Sequence, residues 1–343
     1  QGVSEAVVRS PDPSGAVNAP LSFFQTPFCN GRAPRPVARA FFANCRRTLT
    51  VLEQQLVNAL SLGSVYALFA LGFTLIFGVL GVINLSHGAV FMVGAYAAQY
   101  VMAQFDISLA WGLLFAFLFC GGLGLVIDFL VLKPLRARNA PHLIPMIATI
   151  GVAIVLNNGI QGIFGAQNLR FPEGAISHEP IEFAGLHVTA VELGIVFLSF
   201  VLMAALLLSL KRTQLGRAMR AIAESPKAAS LLGINVEGLF YLTSFAAAGL
   251  GGVAGVLIGL YSNALFPLMG QPMLHKGIAV IILGGMGDIR GAMLGGLFLG
   301  FAEVLSVAYI GSNMRDAVAF GLLFLVLLLR PRGIFGHVQE RKV

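Results

Sequence analysis

The sequence predicts an all-α, polytopic helical membrane protein with about eight or nine membrane segments and interrupted helices. Composition carries the first part of this reading: of 343 residues, 57% are hydrophobic and only 11% charged, with a mean hydropathy of +0.86. Soluble domains carry about 25% charged residues. Charge spacing carries the second part. Nothing ionised at neutral pH lies between Glu53 and Asp106, between Arg138 and Arg170, or between Glu237 and Lys276, and each run exceeds the roughly 20 apolar residues that a bilayer crossing needs. Residues 196–210 are apolar at nearly every position, without the alternation of a transmembrane β-barrel.

Residues 1–50 hold six of the fifteen prolines and no apolar run long enough to span, so they read as a disordered leader outside the fold. A signal peptide competes for this stretch, yet Arg46 and Arg47 directly precede the first long apolar segment with no separate cleavable core upstream. Membrane segments are then expected near 55–81, 88–105, 108–132, 143–165, 190–210, 238–261, 291–311 and 315–330, with a shorter apolar stretch at 272–287. Short cytoplasmic loops are enriched in Lys and Arg. Three clusters therefore mark that side: Lys133, Arg136 and Arg138; Lys211, Arg212, Arg217, Arg220 and Lys227; and Arg330, Arg332, Arg341 and Lys342. The loop 166–192, with four Glu against Arg170 alone, is expected outside. Full crossings throughout place the N-terminus outside; a re-entrant second segment would place it inside, as the basic leader asks.

The formal charge of +7 does not point to nucleic acid, because six Arg against two acids in residues 1–50 supply +4 of it and topology explains the remainder. Cys29, Cys45 and Cys120 have no metal-ligand spacing, and Cys120, inside an apolar span, is expected to pack as a small hydrophobe. Forty-one glycines in 343 residues exceed the roughly 7% average and suit close helix packing where lipid removes the hydrophobic drive between helices. No Gly-rich loop sits in a strand-to-helix context.

Two interruptions stand out. One is the polar run Asn84-Leu85-Ser86-His87-Gly88 inside a charge-free stretch; the other runs from Pro267 through Gln271 and Pro272 to His275, Lys276 and Gly277. Broken helices at corresponding places in two halves point to a substrate path, and unwound backbone at membrane depth requires protein or a water-filled cavity around it. Ordinary surface turns, with Lys276 snorkelling, are the alternative. Of the ionisable residues within spans, Asp128 is expected at the membrane edge, while Glu303 is either a polar group of the path or an interhelical anchor. Asn157, Asn158 and Gln161 are expected to join helices.

Between the fifth and sixth spans, Ser225 as N-cap, Pro226 at the first helical position and Gly233 as stop define a short helix, suited to docking into a soluble partner or to resting on anionic lipid. The run Ala223-Glu224-Ser225-Pro226-Lys227-Ala228-Ala229 followed by Gly233 resembles the coupling loop of ABC importer permeases. Leu62-Gly63-Ser64-Val65-Tyr66-Ala67-Leu68, Ile83 to Gly88, Leu283-Gly284-Gly285-Met286-Gly287-Asp288 and Arg330-Pro331-Arg332-Gly333-Ile334-Phe335-Gly336 resemble signatures of the branched-chain amino-acid permease family, smaller-subunit type. The likeness spans residues 51–336, leaving 1–50 as a non-family leader and 337–343 as a cytoplasmic tail. Ser225-Pro226 departs from the alanines of the general coupling pattern.

The resemblance implies a multi-pass protein of the bacterial inner membrane. Its expected partners are a homologous second permease subunit, two ATPase subunits and a periplasmic substrate-binding protein. ATP would be bound by those partners and this chain would hold no cofactor. The loop 212–235, through Arg217, Arg220, Glu224, Ser225, Pro226, Ala228, Ala229 and Gly233, would couple to the ATPases. Asn84, Ser86, His87, Gly88, His275, Lys276 and Glu303 are the candidate path residues. Urea or short-chain amides are alternative solutes. An ion-coupled carrier and an intramembrane enzyme remain as other classes, although no catalytic motif is present.

Overall fold

A computed structural model describes residues 35–141, 143–172, 180–183, 186–330 and 333–334. The described residues form α1 (Arg35–Leu80), α2 (His87–Phe105), α3 (Leu109–Ile127), α4 (Lys133–Ala137), α5 (Leu143–Phe164), α6 (Ala190–Arg212), α7 (Gln214–Glu224), α8 (Pro226–Leu231), α9 (Val236–Ser262), α10 (Gly270–Gly284), α11 (Ile289–Tyr309) and α12 (Arg315–Leu329). A π-helical turn, Asp128–Leu132, joins α3 to α4. An antiparallel hairpin pairs β1 (Pro180–Phe183) with β2 (Leu186–Thr189) inside the acidic loop. The described residues from Thr48 onward make one compact unit. Of the expected leader, residues 1–34 lie outside the described residues, whereas helix α1 already begins at Arg35.

Among the described residues, seven helices are long and apolar enough to cross a membrane: Leu52–Leu80, Leu109–Ala137, Leu143–Phe164, Ala190–Arg212, Val236–Ser262, Ile289–Tyr309 and Ser312–Leu329. The two remaining expected segments are α2 and α10. The former is nearly enclosed by protein, with twelve of its nineteen residues buried. The latter has fifteen residues, about 22 Å at 1.5 Å per residue, too short for a hydrocarbon core of roughly 30 Å.

Local chemistry sets the helix starts. Thr189 and Glu192 form a reciprocal capping box at α6, Asn235 accepts from the Gly238 amide at α9, and Asp288 accepts from the Arg290 and Gly291 amides at α11. Helix α2 packs chiefly on α3 and α9. Helix α11 and the turn before it run antiparallel to α1, with Leu297 against Gly63 and Gly287 against Gly78, so α1 ends on the same face where α11 begins. That face also carries Lys133 and the α7–α8 segment; the opposite one carries the hairpin loop, tied to the α9–α10 connection by the Leu169–Leu265 bridge. Cys120 is buried and its thiol lies 3.5 Å from the Val90 carbonyl.

Candidate functional site

Gly81, with φ +69°, ends α1, and the following residues turn back into the bundle. Asn84 Oδ1 accepts from the Ser86 amide at 3.1 Å and from Ser86 Oγ at 2.6 Å, while the Leu85 amide donates to Thr149 Oγ1 of α5 at 3.1 Å. His87, the first residue of α2, lies 4.8 Å from the Phe69 ring and 5.6 Å from that of Phe73. Phe69 is eleven residues before the end of α1, about 16 Å along the axis. The interruption is therefore a turn at membrane depth rather than a surface loop, and α2 starts well inside the bundle.

Helix α10 starts at the same depth. Gly88 and Gly270 touch through their backbones: a Cβ at Gly88 would lie 2.5 Å from the Gly270 carbonyl oxygen and 2.9 Å from Leu274 Cβ. From this contact α2 runs to the hairpin face, where Gln99 reaches the Arg170 carbonyl. In the other direction α10 runs to the basic face, where the Ile334 amide donates to the Leu283 carbonyl. Two helix N-termini thus meet inside the bundle, and neither has a side-chain cap. The His87 and Gln271 amides already bond the Asn84 and Leu268 carbonyls and Pro272 has no N–H, so what the two starts offer an anionic group is chiefly the positive ends of two macrodipoles.

A cavity of about 410 Å³ lies against both starts. Leu85, Gly88 and Ala89 line it from α2 and its turn; Gly270, Gln271, Leu274, His275 and Ile278 from α10; Ile150, Ala153, Ile154 and Asn157 from α5. Of the sequence-predicted path residues, Gly88 and His275 border the space. Asn84 and Ser86 are buried in building the turn. His87 is fully buried and packs between Phe69, Phe73, Gly72 and Gly251. Asn157, expected to join helices, borders the cavity, and Asn158 donates to its own helix at the Ile154 carbonyl.

Lys276 turns away from the cavity. Its Nζ lies 2.7 Å from Glu303 Oε1, donates to Tyr66 Oη at 2.9 Å and stands 4.0 Å from Asp316 Oδ1. Arg315 completes the group by pairing with Glu303. Glu303 is entirely buried, so this cluster ties α1, α10, α11 and α12 together inside the bundle. Asp128 is also buried, held by Arg136 through two hydrogen bonds of 2.7 and 3.1 Å. The Arg136 guanidinium lies 4.6 Å from the Phe240 ring centre.

On the basic face the expected short helix is α8, six residues after Ser225, whose Oγ accepts from the Ala228 amide. A second helix, α7, precedes it and has no counterpart in the sequence reading. Met219, Ile222 and Ala229 turn inward onto Leu75, Val79 and Leu239, and Arg220 donates to the Leu210 carbonyl. Gly233, at φ +81°, closes α8: its amide bonds the Ser230 carbonyl and the Ile234 amide bonds that of Ala229, a Schellman ending. Arg217, Glu224, Pro226 and Ala228 face outward, and Leu231 and Leu232 are 88% and 79% exposed.

Residues 55–327 match the family described as "Branched-chain amino acid transport system / permease component". The chain belongs to this permease family. It is 37% identical over 303 residues to the high-affinity branched-chain amino acid transport system permease protein LivH of Escherichia coli K12, covering 84% of this chain and 97% of the relative. Identity is 38% over 301 residues to the permease protein BraD of Pseudomonas aeruginosa, with the same coverage. A probable LivH of Methanocaldococcus jannaschii is 31% identical over 301 residues, 82% of this chain and 91% of the relative. No solved structure matches the permease chain. Sequence reasoning missed the α5 wall, because the stretch from Ile150 to Leu156 is apolar on every side and gives its cavity-facing residues no contrasting period.

Proposed function

We propose that this chain is a transmembrane subunit of an ATP-driven importer in the bacterial inner membrane and that it forms part of the path for branched-chain amino acids. One observation carries the reading: a cavity of small-molecule size at membrane depth, with two uncapped helix starts on one side and an aliphatic wall on another. A zwitterion with an apolar side chain fits such a space, its carboxylate at the helix starts. The names of the relatives support the same solute class.

The α7–α8 segment acts as the coupling element. Its inward face is packed against α1 and α9, so movement of a partner gripping Leu231 and Leu232 reaches the spans without loss in a flexible linker. ATP is hydrolysed on separate ATPase subunits. A homologous second permease completes the path, a periplasmic binding protein delivers the solute, and the C-terminus lies in the cytoplasm.

The test is reconstitution of the chain with its co-purifying subunits in proteoliposomes, with the binding protein supplied on one side. ATP-dependent leucine uptake, competed by valine and not by urea, is the expected result. Competition by urea alone would replace the solute; uptake that follows a proton gradient and ignores ATP would refute the importer.

A further inference from the structure

We infer that α5 is the selectivity wall of this permease, with Ile150, Ala153 and Ile154 receiving the side chain of the transported amino acid. This rests on the proposed function and assigns a part of it to named residues. The three positions, with Asn157, have the spacing i, i+3, i+4, i+7, which places them on one side of the helix. All four border the cavity.

The rest of α5 explains why these side chains line space instead of filling it. Pro145 and Thr149 are its buried residues, and Thr149 is the one that holds the turn before α2 through the Leu85 amide. Beyond that anchor the helix stands away from α10, leaving the gap that the cavity occupies. The space is thereby two-sided. Across from the aliphatic stripe stand the starts of α2 and α10, with Gln271 and His275 on α10.

An α-amino acid with an aliphatic side chain has the same division, a charged end and an apolar end a few ångströms apart. In this cavity the two ends are read by different helices. The charged end is common to all amino acids, so its cradle cannot choose among them. Choice falls to the apolar lining, of which α5 supplies three residues, and within α5 to Ala153, the smallest residue of the stripe, where added bulk enters the space directly. Apolar walls separate homologues by about 10- to 200-fold per methylene.

The experiment is uptake of paired radiolabels, leucine with alanine and leucine with phenylalanine, by the assembled transporter in proteoliposomes. The same binding protein serves every variant, so its own preference cancels from changes in the ratio. Ala153→Leu is expected to lower leucine relative to alanine uptake by about tenfold, the low end of that range. Ile154→Ala is expected to raise phenylalanine relative to leucine. Val155→Leu, one position along and outside the cavity lining, leaves both ratios at the wild-type value.

Ratios unchanged in Ala153→Leu with leucine uptake retained overturn the assignment. If Ala153→Leu blocks all uptake, Ile154→Ala decides: a raised phenylalanine ratio supports the wall and an unchanged one overturns it. A wild-type transporter that imports no branched-chain amino acid overturns the functional reading and this assignment with it, a result distinct from unchanged ratios in an active transporter.

Discussion

Removing Glu303 is the sharpest test of what the buried charge cluster does. In the native protein Oε1 of its carboxylate pairs with both Lys276, at 2.7 Å, and Arg315, and the nearest remaining acid, Asp316, is largely exposed and 4.0 Å from the lysine. Glu303→Gln therefore leaves two cations sharing one weak, solvent-screened counter-charge. Breaking a buried pair in this way costs about 3–5 kcal/mol, whereas replacing both partners by apolar groups is often close to neutral. Lys276→Met is expected to cost less than Glu303→Gln, because Arg315 still neutralises the carboxylate and only the Tyr66 contact and one ion pair are lost. Lys276→Met/Glu303→Leu should recover most of the stability. Thermal unfolding of each purified variant in detergent, followed by intrinsic fluorescence, reads the order: wild type close to the double variant, then Lys276→Met, then Glu303→Gln. A Glu303→Gln protein as stable as wild type, or a double variant no better than Glu303→Gln, refutes the anchor. Leucine uptake by a stable double variant separates anchor from path: retained uptake fits the anchor, and lost uptake places the cluster in the path.

Three further outcomes follow from the geometry. Gly88→Val forces a branched side chain against the Gly270 carbonyl and Leu274; overpacking of this kind costs about 1–3 kcal/mol, and membrane-inserted protein with lost uptake is expected, checked by surface expression beside transport. His87→Phe should keep expression and uptake, since the ring packs as an aromatic wedge between Phe69 and Phe73, while His87→Ala opens a cavity costing about 3–5 kcal/mol; lost uptake in a well-expressed His87→Phe protein would show that the imidazole's polarity matters. On the basic face, Leu231→Asp/Leu232→Asp and Gly233→Pro should abolish ATPase co-purification without blocking membrane insertion, measured by pull-down from solubilised membranes. Retained ATPase binding would remove α8 from the coupling role.

Much of the architecture was legible because lipid imposes a simple code. Charge-free runs fixed the long spans, and clusters such as Lys133, Arg136 and Arg138 ended them where the structure ends them. Depth was not legible. Asn84 to Gly88 has the same composition as a surface turn, and only the contact of His87 with Phe69, eleven residues back along α1, places it inside. Lys276 and Glu303 are separated by 27 positions in sequence, so nothing local announces their pairing, and the π-helical turn that brings Arg136 over Asp128 carries no sequence signal of its own. The fifteen-residue α10 was visible as a short segment, but its partnership with α2 depends on two glycines, Gly88 and Gly270, that sequence alone does not pair. Helix α7 went unread because its signal, Thr213 capping the Gly216 amide, sits in a run otherwise dominated by basic residues.

The back-to-back beginning of α2 and α10 also bears on direction. One helix leaves that point toward each face of the membrane, so under the proposed function a solute resting there meets the same positive field whether it arrived from one compartment or the other. The cradle is indifferent to the sense of travel. If the chain imports in one direction as proposed, that direction must come from the order in which the surrounding spans open and close, a timing imposed from the membrane surfaces rather than a preference written into the resting place itself.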